Sequence, residues 1–353
     1  MNLTWPEPKI EIPEMWSPSS LNVLRICHLR SAYSTDKDFS SKFRRGNTYS
    51  SMGIASHKLS EKVWKNQFRD VDDSEIEAKI SEEWASLIEE EFKRLTSVWF
   101  PAKVPLPRDW PYFALTQVRS VTRASSEVRR RLANGGNGSV GSVRIEQKIV
   151  DPENGLQGTP DRVVITNDGF YVLDLKTGHA VSEFSENYRR QLLIYAHLVS
   201  LTTSLPLLGI GLISAGGDTI WEDTDQSDVE QVIDDVKSEI ASFTAEVQSG
   251  QIKAVPTPQN CRFCPYKPVC KQYWQDLSPE WSDYRGVVGR VVQISDEQTF
   301  TIEQILPSHS PGQLIGISNC SHVLQDADIV SVTDGRLRGQ SLRGSWYTRV
   351  VKL

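Results

Sequence analysis

The sequence predicts an α/β core followed by a small all-β region. Three observations predict it. Upstream of residue 133, apolar residues recur at helical spacing. Between about 142 and 248, short strand-like runs alternate with amphipathic helical runs, an order that builds a sheet flanked by helices. From about 284 onward, short β-rich runs are separated by Gly, Pro and Asp turns.

Residues 1–16 are rich in Pro and charge and read as an extended arm. Ser17 opens a helix that carries Leu21, Leu24, Cys27 and Leu29, since Ser before such a run is a usual start signal. A second helix starts near Gly53 and runs through Trp64. Ile76, Ile80, Trp84, Leu87 and Leu95 place a third over roughly 74–96. After Pro101, Pro105, Pro107 and Pro111 comes a fourth, from about 114 to 133, stopped by Asn134-Gly135-Gly136. The stretch 142–150 alternates and reads as one strand. Arg162–Thr166 and Phe170–Leu175 form a hairpin around Asn167-Asp168-Gly169. Glu186–Ser200 is a helix, Leu208–Ser214 a buried strand, and Asp228–Gln248 a helix. The runs near 285–294, 299–305, 328–333 and 346–353 suit a small barrel, OB-like in kind.

The chain has 353 residues, 39% hydrophobic and 24% charged, which suits a soluble globular protein of one large unit and one small one. Its net charge of −6 argues against a protein that coats nucleic acid through its whole-molecule field, so any phosphate contact must be local. The N-terminus lacks a basic-then-apolar leader, and no apolar run reaches the roughly 20 residues of a membrane helix. A cytoplasmic location is therefore expected. In such a reducing compartment five cysteines read first as metal ligands, not as a disulfide framework.

Two groups of residues carry chemistry. Asp174 and Lys176 are two apart on a strand, so both side chains reach the same face. Asp161 lies at the start of the preceding hairpin strand and is a plausible neighbour of Asp174. Two facing carboxylates repel unless a cation sits between them. Mg²⁺ suits such a pair, and a nearby lysine can orient the attacking water. A surface hairpin would explain Asp-x-Lys alone. Gln191 and Tyr195, four apart on the next helix, share a face and could brace the lysine. His57 ends Gly53-Ile54-Ala55-Ser56-His57 on an early helix, and alone would be read as structural. Glu146, on the strand before, is read as structural too.

Cys261, Cys264 and Cys270 form a C-x₂-C with a third Cys six residues on, beside Pro265 and Pro268. No further Cys or His lies inside that loop. The fourth candidate is Cys27, 234 positions before Cys261. Four thiolates suit either Zn²⁺ or a [4Fe–4S] cluster, and the spacing does not choose. Joining Cys27 to the loop would close almost the whole preceding region, a chain-entropy gain on the order of 5 kcal/mol by analogy with a disulfide. Cys320 lies apart and reads as a small buried apolar residue.

Pro160-Asp161-Arg162, then Asp174-Leu175-Lys176-Thr177-Gly178, then Gln191-Leu192-Leu193-Ile194-Tyr195 resembles the PD-(D/E)XK nuclease superfamily. Gly53-x-x-x-His57 and the split cysteines resemble its RecB-like iron–sulfur branch, which includes AddB-type recombination nucleases and CRISPR-associated exonucleases. The resemblance covers about residues 17–275. It implies a restriction-endonuclease-like core, with a central mixed sheet flanked by helices, over 17–278. It also implies a helical insertion at about 58–135, and the β-rich texture sets off a separate region over 284–353. By match, His57, Asp161 and Asp174 bind metal, Lys176 is catalytic, and Gln191 and Tyr195 support the site. Cys27, Cys261, Cys264 and Cys270 would then hold a [4Fe–4S] cluster as a structural staple. A histidine ligand softens an oxygen site, so Mn²⁺ is expected to serve at least as well as Mg²⁺.

The expected activity is hydrolysis of DNA by an exonuclease acting on single strands or free ends, in repair, recombination or phage defence. Basic residues that could hold the strand are Lys42, Arg44 and Arg45, Arg129 to Arg131, Arg189 and Arg190, and in the β region Arg336, Arg338 and Arg343 with Trp346. Trp64, Trp84, Trp99 and Trp110 are expected mostly in the core. No Gly-x-x-x-x-Gly-Lys-Ser/Thr loop is present, so no nucleotide cofactor is expected and a separate helicase would supply strand separation. The competing readings are a non-catalytic DNA-end-binding or adaptor subunit on the same fold and, more distantly, a Zn-stapled RNA-processing enzyme.

Overall fold

The computed structural model describes all residues except 1–2, 44–45, 99–103, 134–141, 146, 177–183, 215–216, 279, 282–285, 309–310, 321 and 346. Arg44, Arg45, Trp99, Glu146 and Trp346 lie outside the described residues.

The chain opens with α1 (Pro18–Ile26), α2 (His28–Thr35) and α3 (Lys37–Phe43). Ser17 caps α1 by accepting from Ser20 N, and Ser20 returns the bond in a capping box. The single helix expected through Leu29 is in fact broken at Cys27. That residue is extended (φ −167°, ψ 115°), ending α1 and starting α2. Three longer helices follow: α4 (Thr48–Trp64), capped by Asn47, then α5 (Ile76–Val98) and α6 (Phe113–Ala133).

Next come β1 (Ser142–Ile145), β2 (Ile149–Asp151), β3 (Leu156–Gly158), β4 (Arg162–Ile165) and β5 (Phe170–Leu175). The stretch expected as one strand over 142–150 is two, in different sheets, because β2 pairs with β3 and β1 with β4. Then α7 (Glu186–Ser200) leads to β6 (Leu207–Ile213) and β7 (Thr219–Glu222). The long helix α8 (Gln226–Ser249) starts in a capping box from Asp225 and ends at Gly250. Its φ of +68° is the left-handed conformation that glycine adopts without strain.

The central sheet has the order β1-β4-β5-β6-β7. Only β5 and β6 are parallel, joined through α7, and every other pair is antiparallel. Strand periodicity sorts its two faces. Phe170, Val172, Val163, Ile210 and Leu212 pack with α7, α8 and α1 in one core. Leu173, Leu175 and Ile213 pack with the helices α4, α5 and α6 in the other. Trp64, Trp84 and Trp110 are buried in this second core. Burial on two faces stabilises a sheet that one covering layer could not, at about 25 cal/mol per Å² of apolar surface.

The chain continues through α9 (Pro258–Arg262) and α10 (Lys271–Asp276) into seven strands: β8 (Val287–Asp296), β9 (Thr299–Leu306), β10 (Leu314–Ser318), β11 (Ile329–Thr333), β12 (Arg336–Arg338), β13 (Ser341–Arg343) and β14 (Arg349–Lys352). Their order is β12-β13-β10-β9-β8-β11-β14, with β12 and β14 at the two edges. This open seven-stranded order differs from the small closed barrel anticipated. The anticipated strands omitted β10, β12 and β13, whose short lengths leave little alternation to read. Cys320 is buried in the core of these strands.

Candidate active site

Asp161, Asp174, Lys176, Gln191 and His57 converge where β4 and β5 meet α7 and α4. Val163 and Val172 face α7, so Asp161 and Asp174, each two residues away along its strand, project to that side as well. Asp161 Oδ2 accepts the Leu175 N–H at 2.8 Å, which fixes the residue before β4 against the end of β5. Lys176 N donates to Ile213 O at 2.8 Å, extending the parallel pairing one residue past the strand.

Asp174 is buried, 4% exposed. Its Oδ1 accepts from Gln191 Nε2 at 3.1 Å. Its Oδ2 stands 2.6 Å from Lys176 Nζ as an ion pair, yet it has no partner of hydrogen-bond geometry among the described residues. Lys176 Nζ also lies 3.5 Å from Gln191 Oε1 and 4.3 Å from the centre of the Tyr188 ring. Gln191 therefore holds carboxylate and lysine with one amide.

Tyr188, Gln191 and Tyr195 lie on one face of α7 at spacings of three and four. Tyr188 was not singled out in the sequence, although that periodicity could have found it. Tyr195 packs its ring against Gly158, where an added Cβ would come within 2.7 Å of Tyr195 Cε1. That close approach explains glycine three residues before Asp161. Burial pushes the Tyr195 hydroxyl up to about 12, against a smaller pull from Gln191. It serves as a neutral hydrogen-bonding wall.

His57 sits on α4, with Nδ1 3.3 Å from Asp161 Oδ2. Burial lowers its pKa, against an upward pull from Asp174, so the imidazole is neutral near pH 7 and able to ligate. Asp161 moves the other way. Burial first, then the charge of Asp174, raise it to about 7, although the Leu175 amide and Lys176 pull it down. Asp161, whose ionisation is opposed by burial and by the charge of Asp174, is placed where a cation would relieve that opposition. Among the described residues, no three His, Cys, Asp or Glu side chains are gathered tightly enough to hold an ion as they stand. The donor types fit a divalent ion, and closing around it would relieve the Asp161–Asp174 repulsion.

Four of the cysteines lie near one another elsewhere, in a grouping that, like the acidic one, is not gathered tightly enough to hold an ion as it stands. Cys27, Cys261, Cys264 and Cys270 line one cavity, and no disulfide joins any of the five cysteines. The break at Cys27 brings the start of α2 to this loop, and Asn260 Nδ2 holds it by donating to Ile26 O at 3.2 Å. Burial pushes the Cys261 and Cys270 thiols up to about 12. Protonated thiols are therefore favoured there unless a positive partner is present. The loop is tied to the C-terminal strands as well. The buried Lys267 ammonium pairs with Asp334 at 2.7 Å, and Arg349 Nη1 donates to Pro265 O at 3.3 Å.

Several basic residues suggested for strand binding are committed elsewhere. Arg189 pairs with Glu222 at 2.5 Å and Asp228 at 2.7 Å, and Arg190 forms a bidentate pair with Glu239. Arg129 pairs with Asp73, and Arg130 and Arg131 with Glu127. Acidic partners far along the chain decide this for Arg189 and Arg190, so the local sequence carries no trace of it.

A model of the PD-(D/E)XK nuclease superfamily matches residues 15–271 of the chain. Among solved structures, a Eubacterium rectale protein named as a proposed exonuclease is similar over 75% of this chain and 91% of its own. The two are 11% identical, with a TM-score of 0.38. That likeness is too distant to carry an argument about function. None of the curated proteins compared matches the chain. Among the described residues, no helix is long and apolar enough to cross a membrane.

Proposed function

The chain belongs to the PD-(D/E)XK nuclease superfamily, and on that premise we propose that it is a metal-dependent deoxyribonuclease, an exonuclease acting on single strands or free ends. The observation that carries the reading is the meeting of Asp161, Asp174 and Lys176 in one half-enclosed site, with His57 3.3 Å from Asp161.

In this reading His57, Asp161 and Asp174 hold a divalent ion, Mg²⁺ or Mn²⁺ as is general in the superfamily. Such an ion, when bound, neutralises charge at the scissile phosphate and makes water more acidic. Lys176 Nζ, anchored on Asp174 and leaning on Tyr188, orients the attacking water and steadies charge building on the phosphate. Gln191 keeps both groups in register. Tyr195 closes the far wall and donates its proton without giving it up.

The split cysteines support placement in the RecB-like iron–sulfur branch, with Cys27, Cys261, Cys264 and Cys270 holding a [4Fe–4S] cluster that staples residues 17–278. The seven-stranded sheet after 284 is read as a second unit that grips DNA. A helicase would be a second chain, and repair, recombination or phage defence is the expected setting. The deciding experiment is cleavage of end-labelled single- and double-stranded DNA by anaerobically purified protein with Mn²⁺, Mg²⁺ or EDTA. Metal-dependent digestion that Asp174→Ala abolishes is the expected result. Folded, brown protein that leaves both substrates intact would overturn the nuclease reading in favour of an adaptor.

A further inference from the structure

The sheet face opposite Asp174 holds a second, larger cavity. About 590 Å³ lies open between the strands β4 to β7 and the helices α4 and α6. Small-molecule sites span roughly 300–1,000 Å³. Period-two alternation puts Asp161 on one face of the sheet and Arg162 on the other, so the two sites share one strand end.

Arg162 and Arg123, from α6, both line this cavity. Arg123 Nη2 donates to Ser60 Oγ at 3.0 Å, but its Nη1 is buried with no acceptor among the described residues. Arg162 is in the same state: its guanidinium stands 5.4 Å from the centre of the Trp64 ring, and its Nε is buried without an acceptor. Burial lowers both arginines, Arg123 to about 10, which still leaves it charged at neutral pH. Two acidic residues also line the cavity. Glu127 pairs with Arg130 through Oε2, while its Oε1, 3.7 Å from Arg131 Nη1, is buried without a hydrogen bond and its charge partly offsets that of Arg162; Asp218 is exposed.

A buried cationic N–H without an acceptor is costly, and this cavity holds two. An anion with several oxygens removes both penalties, and a phosphate matches the guanidinium fork. Trp221, 54% exposed, adds an aromatic surface on which a base can stack. The cavity lies on the other side of the sheet from the candidate active site but shares its elements. Ser60 follows His57 by one helical turn, Arg162 follows Asp161 directly, and the Arg123 charge is felt at His57.

We infer that this cavity binds a nucleotide phosphate, with Arg123 and Arg162 as its ligands and Trp221 beside the base. The inference rests on the nuclease reading for its biological sense. The phosphate belongs either to the strand beyond the cut or to a released mononucleotide.

The test is binding in EDTA, where no cleavage occurs, by the full-length protein. The probes are a fluorescent ten-residue oligothymidylate, thymidine monophosphate and inorganic phosphate. Arg123→Gln and Arg162→Gln are expected to weaken binding at least about tenfold, in line with loss of a charge-assisted bidentate contact. Wild-type response to the oligonucleotide alone identifies the strand as the source. Response to the mononucleotide, raising the melting temperature, identifies the product. If the glutamine variants fail to fold, Trp221→Ala, on an exposed side chain, must lower oligonucleotide affinity. Folded variants that bind every probe as the wild type does would overturn the inference and leave a water-filled packing gap. Metal-dependent cleavage with variant-insensitive binding sinks the pocket and spares the nuclease. Arginine-dependent binding without any cleavage does the reverse.

Discussion

Gln191 donates its Nε2–H to Asp174 Oδ1 while its Oε1 lies 3.5 Å from the Lys176 ammonium. One amide thus orients the carboxylate and the lysine together, from the covering helix α7. Removing it frees both. Gln191→Ala is expected to fold normally and to lose about 10–100-fold in cleavage rate or metal affinity, the usual cost of an outer partner of a ligand. Steady-state rates across a Mn²⁺ titration will show which. Activity within twofold of the wild type would leave Gln191 as packing.

His57 makes a prediction about metal choice. Its imidazole is held neutral by burial and stands 3.3 Å from Asp161. Imidazole favours transition metals over Mg²⁺. Mn²⁺ should support cleavage at least as well as Mg²⁺, and His57→Ala should erase that preference. A wild-type protein clearly faster in Mg²⁺ would argue that His57 is not a ligand.

The proposed four-cysteine cluster predicts colour and cohesion. Cys264→Ser is expected to lose the brown chromophore and to become insoluble or readily unfolded, since the loop joins α1, α2 and the C-terminal strands through Asn260, Lys267 and Arg349. Iron and sulfide analysis of the wild type separates [4Fe–4S] from Zn²⁺. A colourless, soluble, fully active variant would end the staple idea.

Asp151 predicts acid sensitivity. It is buried on β2, its Oδ2 2.7 Å from His197 Nε2 and 2.6 Å from Asn154 Nδ2. Burial opposes its charge, but the bonds from His197 and Asn154 prevail and hold its pKa below the ordinary 3.8. The folded state therefore releases this proton more readily than the unfolded chain. The stabilisation is present above pH 3.8 and is lost as pH falls through the lower folded value. Asp151→Asn should cost about 1–3 kcal/mol at pH 7 and less near pH 3. Urea unfolding at both pH values measures it, and equal losses would refute the linkage.

Arg336 and Arg343 stand directly opposite each other on β12 and β13, with Arg338 two residues along, all exposed. Like charges across a strand pair repel, which an anionic backbone would offset. Arg336→Glu with Arg343→Glu should weaken single-strand binding and flatten its salt dependence by roughly 0.7 in log–log slope for each phosphate no longer bound. An unchanged slope would remove this hairpin from the DNA path.

The family could be read from sequence because its chemistry is local. Asp174 and Lys176 share a face by strand periodicity, Gln191 and Tyr195 by helix periodicity, and the helix α7 appears at the bounds anticipated. The helices α5 and α6 were similarly legible, since their apolar stripes repeat over five turns or more. Short-range order is what propensity and periodicity encode.

What depends on distant partners could not be read that way. The break at Cys27 falls where α1 must end for α2 to start beside the cysteine loop, and the residues flanking it have ordinary helix propensity. Arg189 and Arg190 look available in sequence and are consumed by Glu222, Asp228 and Glu239. Arg123 looks like one more residue of a helix face. Only the packing of α6 over the sheet buries its guanidinium beside Ser60, in the cavity that Arg162 also lines, because a charge acquires its role from the acceptors that the fold brings near it, or withholds.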